Sequence, residues 1–179
     1  MKLRTIVLTS LVLAAGAFGA RAAFQEGMPM AKPGPEHDVL KNMAGKWDAV
    51  VDAMGSKETG TMTTELAMGG LWAISNYEGK MMGGPFVGHE IFGWDASKKK
   101  YVACWVDSSS ASMALTEGTW DAATKTMTLS GESGDAMTGG TTKVMNKIKV
   151  LDPDHHTFEM YMGATEGAPM MTITYTRKK

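Results

Sequence analysis

Three carboxylates stand in the one stretch of this sequence that has the residues for acid–base or polar-ligand chemistry. Glu90, Asp107 and Glu117 fall in a run, 85–120, that also holds Phe86, Phe92, Trp94, Tyr101 and Trp105. Alternate side chains of an extended chain share a face. Phe86, Gly88, Glu90, Phe92 and Trp94 therefore form one set, and Tyr101, Ala103, Trp105 and Asp107 another. A turn at Asp95 would pair the two sets, and Glu117, in phase with Met113 and Leu115, would join them. Carboxylates among apolar side chains lose hydration, so their pKa values rise; such groups orient the polar end of a ligand or act as acid and base. The opposite faces (Val87, His89, Ile91; Val102, Cys104, Val106) are also apolar, so phase alone does not choose between them.

Other chemistry is thinner. His155 and His156 are adjacent and point to opposite faces of a strand, so they cannot chelate together; His89 could ligate haem, but an ordinary strand histidine is the simpler reading. Pairs such as Met28-x-Met30 and Met160-x-Met162, among 17 methionines, could offer thioether sites to Cu(I). They equally suit adaptable packing around an apolar ligand. No nucleophile elbow, helical metal-binding histidine pair, phosphate loop or dinucleotide fingerprint is present, so no catalytic residue is assigned and no metal or other cofactor is expected.

The elements that must position these groups follow an export signal. Lys2 and Arg4 precede an apolar run from Ile6 to Phe18, and Ala20-Arg21-Ala22 has the small-x-small form of a signal-peptidase site. Cleavage after Ala22 predicts a periplasmic or secreted protein. It removes three basic residues and no acid from a chain with 18 Lys+Arg and 19 Asp+Glu, leaving a mildly acidic mature protein without a basic stripe for nucleic acid. The apolar run is too short for a membrane span. Cys104 is the only cysteine, so an intramolecular disulfide is impossible.

Residues 23–33 read as a flexible leader and 34–179 as one domain. A short helix from Pro35 to Met43 ends at Gly45. Ten strands are then expected near 46–54, 57–68, 71–79, 85–94, 100–108, 112–120, 125–133, 141–151, 155–163 and 168–177. Trp94-Asp95-Ala96-Ser97-Lys98 and Trp120-Asp121-Ala122-Ala123-Thr124-Lys125 repeat one turn chemistry, in which an aspartate accepts from the backbone just ahead of it. No second helical pattern offers a crossover, so the strands should be antiparallel and close as an up-and-down barrel.

Gly45-Lys46-Trp47 at the mouth of the first strand is similar to the Gly-x-Trp signature of the calycins, the lipocalins and their relatives. Many calycins lay a basic side chain from the last strand across the floor tryptophan, and Arg177 matches that role by position. Pro33-Gly34-Pro35-Glu36-His37, Tyr77-Glu78-Gly79, Gly93-Trp94-Asp95, Trp105-Val106-Asp107-Ser108, Phe158-Glu159-Met160-Tyr161-Met162 and Ile173-Thr174-Tyr175-Thr176-Arg177 resemble the uncharacterised bacterial family called domain of unknown function 1579. The resemblance implies a calycin-like β-barrel and carries no activity. The expectation is thus an exported barrel binding a small apolar or amphipathic molecule, with Gly45, Trp47 and Arg177 closing the floor. Trp105, Met113, Leu115 and Tyr161 would line the wall, with Glu90, Asp107 or Glu117 at the polar end. An enzyme using those carboxylates, a haem-binding barrel, and a filled barrel acting through its surface as a homodimer are the alternatives.

Overall fold

The computed structural model describes residues 30–53, 55–134, 139–163 and 167–179. The expected signal peptide and most of the expected leader lie outside the described residues. From Lys32 to Lys179 the chain is one unit. It opens with a single 3-10 turn, Pro35–His37, and the helix α1, Asp38–Met43. The turn is held by two bonds between the same residues: His37 N donates to the Gly34 carbonyl and Gly34 N to His37 Nδ1, each at 3.0 Å. Val39, Leu40 and Met43 are buried on one side of α1, while Asp38 and Lys41 pair on its exposed side.

Ten antiparallel strands follow: β1 Gly45–Ala53, β2 Ser56–Ala67, β3 Trp72–Met81, β4 Gly84–Asp95, β5 Lys100–Asp107, β6 Ala114–Asp121, β7 Thr126–Gly134, β8 Thr141–Asp152, β9 His155–Met162 and β10 Met171–Arg177. Each pairs with its neighbours in sequence, and β10 pairs with β1, so the sheet is a closed barrel without a free edge. The repeated turn is realised as expected. Asp95 accepts from Ser97 N and Lys98 N, and Asp121 from Ala123 N, while Lys99 and Lys125 take the left-handed conformation at the end of each turn. Among the described residues, no helix is long and apolar enough to cross a membrane.

One end of the barrel is packed shut. Val39, Leu40 and Met43 of α1 join Ala73, Phe92, Tyr101, Ala103, Met127, Leu129 and Ile148 in one buried cluster. Tyr101 donates its hydroxyl proton to the Glu36 carbonyl at 2.7 Å, which ties the N-terminal turn to β5. Trp47 is 1% exposed and donates Nε1–H to the Met43 carbonyl at 2.9 Å. Arg177 lies over its ring at 4.0 Å and donates to the carbonyls of Asn42, Ala44 and Pro153. Burial of an indole stabilises by about 4–5 kcal/mol at the usual area coefficient, and the cation–π contact adds roughly 0.5–2 kcal/mol. Gly45 makes this closure possible: its φ is +132°, and a Cβ there would collide with the Arg177 guanidinium.

Candidate functional site

Strand register decides which side chains enter the barrel. Trp47, Ala49 and Val51 lead laterally to Met62, Gly60 and Glu58 on β2; Gly60 and Met62 then lead to Gly79 and Tyr77 on β3. Across β3, β4 and β5, Ser75 pairs with Glu90, Glu90 with Trp105, and Gly88 with Asp107. The carboxylate-bearing faces of these two strands therefore do turn inward. Tyr77, Phe86 and Tyr175 belong to a second buried cluster with Trp47, Ala49 and Ile173, against which Trp105, Met62 and Met171 pack.

The sixth strand runs in the opposite phase to the one expected. Trp105 pairs with Ala114 and Ala103 with Thr116, so Ala114, Thr116 and Gly118 share the inner face. Met113 and Leu115, each 55% exposed, lie outside and do not line the wall. Glu117 is also outside, bonded to Lys98 at 2.8 Å and Lys100 at 2.6 Å, and these lysines hold its carboxyl down at about 2. The reason is register: a strand displaced by one residue presents its whole other face. Hydrophobicity misleads here because small residues occupy the inner face beside the bulky Trp105. Tyr161 likewise points outward, paired with Met145 and bonded to Glu159 at 2.6 Å, with Lys147 over its ring. Asp107 sits where β5 ends. It accepts from Trp105 Nε1 at 2.8 Å and from Ser109 N and Oγ at 2.8 and 2.6 Å, so it is a turn cap that also fixes the indole.

Glu90 has a different setting. It faces the barrel interior, half-buried, flanked by Ser75 and Trp105, and among the described residues it has no hydrogen-bonding or ion-pairing partner. Ser75 is itself bonded to Thr64 at 2.9 Å. Desolvation pushes the Glu90 carboxyl up to about 7. The Tyr175 phenol is raised too, first by burial and then by the nearby charges of Glu90 and Tyr77. Tyr77 is 4% exposed and its hydroxyl is buried without a partner; the Asn146 Oδ1 is a second such atom. Two glycines make the room for this phenol. Gly60 and Gly79 face each other across β2 and β3, and a Cβ on either would meet the Tyr77 hydroxyl. A Cβ on Gly88 would likewise occupy the space of the Trp105 indole. Glycines thus recess two aromatics, Tyr77 and Trp105, against the inner wall of the sheet.

Tyr77, Tyr175, Asn146 and His156 were missed as site residues from sequence. His156 faces inward, stacked on Tyr175 at 4.5 Å and edge-on to Trp47 at 4.3 Å; burial and then the Arg177 charge lower it to about 4. Its adjacency to His155 hid this, since only register separates the inner imidazole from the outer one, which bonds Asp152. Phase did signal Tyr175, two residues from Arg177. His89 lies outside on β4 with Asn76 at 2.8 Å. Among the described residues no group of three or more His, Cys, Asp or Glu side chains could hold a metal ion.

Part of the inner face is not fully buried. Met62, Glu90, Trp105, Met160 and Met171 point inward by register yet are only half-buried. A concavity of about 630 Å³ lies on the outer side of β1 and β10, against Val50, Asp52, Lys57, Thr172 and Thr174. Its charged members, Asp52 and Lys57, are themselves exposed, so the unpartnered polar groups point to the interior instead.

Residues 32–177 match a family described as "Protein of unknown function (DUF1579)". No curated protein matches the sequence. Among solved structures, the chain is similar to an S-type phycobiliprotein lyase from Guillardia theta, at 11% identity over 82% of this chain and 99% of that one, with a TM-score of 0.51. It is also similar to a redesigned β-barrel, at 12% identity over 83% and 100% of the two chains, with a TM-score of 0.42. The likeness to the lyase is one of fold alone.

Proposed function

The chain belongs to the DUF1579 family of unknown function, and from its barrel we propose an exported protein that binds a small apolar or amphipathic molecule in its lumen. The observation that carries this reading is a pair of unpartnered polar groups on the inner wall: the half-buried Glu90 carboxyl and the fully buried Tyr77 hydroxyl. An unsatisfied buried polar group costs about 1–3 kcal/mol, and more when charged. A ligand that supplies the missing hydrogen bonds recovers that cost, which gives the site its affinity. Met62, Met160 and Met171 would follow ligand shape through their flexible thioethers. Closure at the Trp47 end leaves entry to the opposite end, at the β3–β4 and β5–β6 turns.

Export rests on the N-terminal signal pattern, and Edman sequencing of the mature protein should begin at Ala23. The lumen is tested by native mass spectrometry of the protein purified from its own host. A noncovalent organic adduct, removed by solvent extraction and restored by adding the extract back, is the expected result. A protein that carries no adduct and takes up no apolar fluorophore ends the reading. The acid–base alternative is weakened by the same geometry, since Asp107 is committed to a turn and Glu117 lies outside.

A further inference from the structure

The charges that face the lumen are unbalanced. By register the inner face carries Glu58 on β2, Glu90 on β4 and Asp107 on β5, against His156 on β9 and Arg177 on β10. Every lysine of the ten strands falls on the outer face. Arg177 is turned to the floor, where it serves three carbonyls and the Trp47 ring and lies 3.4 Å from Asp154. His156 is held neutral at physiological pH between Trp47 and Tyr175. Asp107 is bonded to Trp105 and Ser109, and Glu58 at the rim accepts from Gly83 N at 3.1 Å. Glu90 is thus the carboxylate without a partner, and no cation of the described chain reaches it.

Its surroundings are selective as well as acidic. Glu90 is flanked by the Trp105 indole on β5 and by Ser75 on β3, with the Tyr175 phenol near enough to feel its charge. Aromatic faces attract cations through their quadrupole, and more strongly when desolvated. The unpartnered Tyr77 hydroxyl, over Gly60 and Gly79 towards Glu58, can accept as well as donate and offers a further polar contact on the same inner wall. A fatty-acid carboxylate would instead be pressed against Glu90.

We infer that the ligand class is an amphipathic amine, its ammonium group paired with Glu90 inside the aromatic wall and its apolar body along the methionines. This rests on the lumen-binding reading above. An ammonium ion entering the site displaces to solvent the proton held by the protonated fraction of Glu90, so proton release falls as pH rises through 7, and no covalent bond forms. Because the carboxyl of the free protein titrates near 7, apparent amine affinity follows the ionised fraction of Glu90.

The test is calorimetric titration of the mature protein with decylamine, decanol and decanoate, below their micellar concentrations, from pH 6 to 8. Decylamine should bind tighter than decanol, and its affinity should rise about tenfold across that range, the change in ionised fraction for a group titrating near 7. Decanol should show no such slope, and decanoate should weaken as pH rises. In Glu90→Gln the decylamine slope should vanish while decanol binding persists. Decylamine binding that is flat with pH, that keeps its slope in Glu90→Gln, or that is weaker than a measurable decanol affinity overturns the amine inference and leaves the lumen reading standing. If none of the three probes binds, both fall. Should Glu90→Gln not fold, the wild-type pH slopes of the three probes decide the matter alone.

Discussion

The Arg177 guanidinium carbon lies 4.0 Å from the centroid of the Trp47 ring, and the same side chain donates to carbonyls on both sides of the closure. This contact joins the last strand to the first and to the end of α1. Arg177→Ala should therefore lower stability by roughly 2–4 kcal/mol, through the lost stacking and the carbonyls left without donors. Arg177→Lys should recover only part, since an ammonium lacks the planar fork. Urea unfolding of the three proteins checks both.

Gly45→Ala should be as damaging, although it adds one methyl group. The position combines a φ of +132° with a Cβ path that runs into the Arg177 guanidinium. The expected loss is about 1–3 kcal/mol, with the near-ultraviolet circular dichroism of Trp47 altered as the arginine is pushed aside.

Two buried groups give opposing pH dependences. Glu90 is raised to about 7 in the folded protein, so its contribution is present below the unfolded carboxylate value and lost as pH rises to 7. His156 is lowered to about 4, so its contribution is present above 6.5 and lost as pH falls towards 4. Each amounts to roughly 3 kcal/mol at most. Between about pH 4.5 and 6.5 the two slopes cancel. Denaturant melts across pH 4–8 should find Glu90→Gln gaining stability as pH rises through that window, and His156→Gln losing it.

Tyr77→Phe separates binding from folding. The hydroxyl it removes is buried without a partner, so stability should be unchanged or slightly higher. Ligand affinity should fall if that hydroxyl completes the Glu90 site. A large drop in the unfolding midpoint would show instead that the phenol has a bond within the folded protein.

Glu117→Gln serves as the outward control. Its carboxylate pairs with Lys98 and Lys100 on the outer face, so ligand binding and its pH profile should match the wild type. A change in either would mean that the outer face of β6 takes part in binding.

The chain's local chemistry determined much of the architecture. Alternating Thr, Val, Ile and aromatic residues set the strands, and aspartates at 95 and 121 set the turns by accepting from the backbone beside them. A sequence without a second helical pattern to serve as a crossover left antiparallel closure as the way to pair every edge. Gly45, Trp47 and Arg177 were readable as a set because each depends on short-range geometry at a strand end. The inner faces of β4 and β5 could be narrowed to two choices, since both faces of each strand are apolar.

Only the tertiary structure chose between those faces, and it reversed the expected phase of β6. Side-chain period in a strand is two, so a single-residue displacement exchanges Leu115 and Glu117 for Thr116 and Gly118, and local sequence cannot price that exchange. The same pairing moved His156 inward and His155 outward, and turned Tyr161 away from the lumen. It also brought Tyr175 of β10 to the neighbourhood of Tyr77 and Glu90 on β3 and β4, far from it in sequence. The composition supplied a carboxylate and its aromatics; the closed register turned the carboxylate inward and every strand lysine outward, which is what made Glu90 chemically distinct.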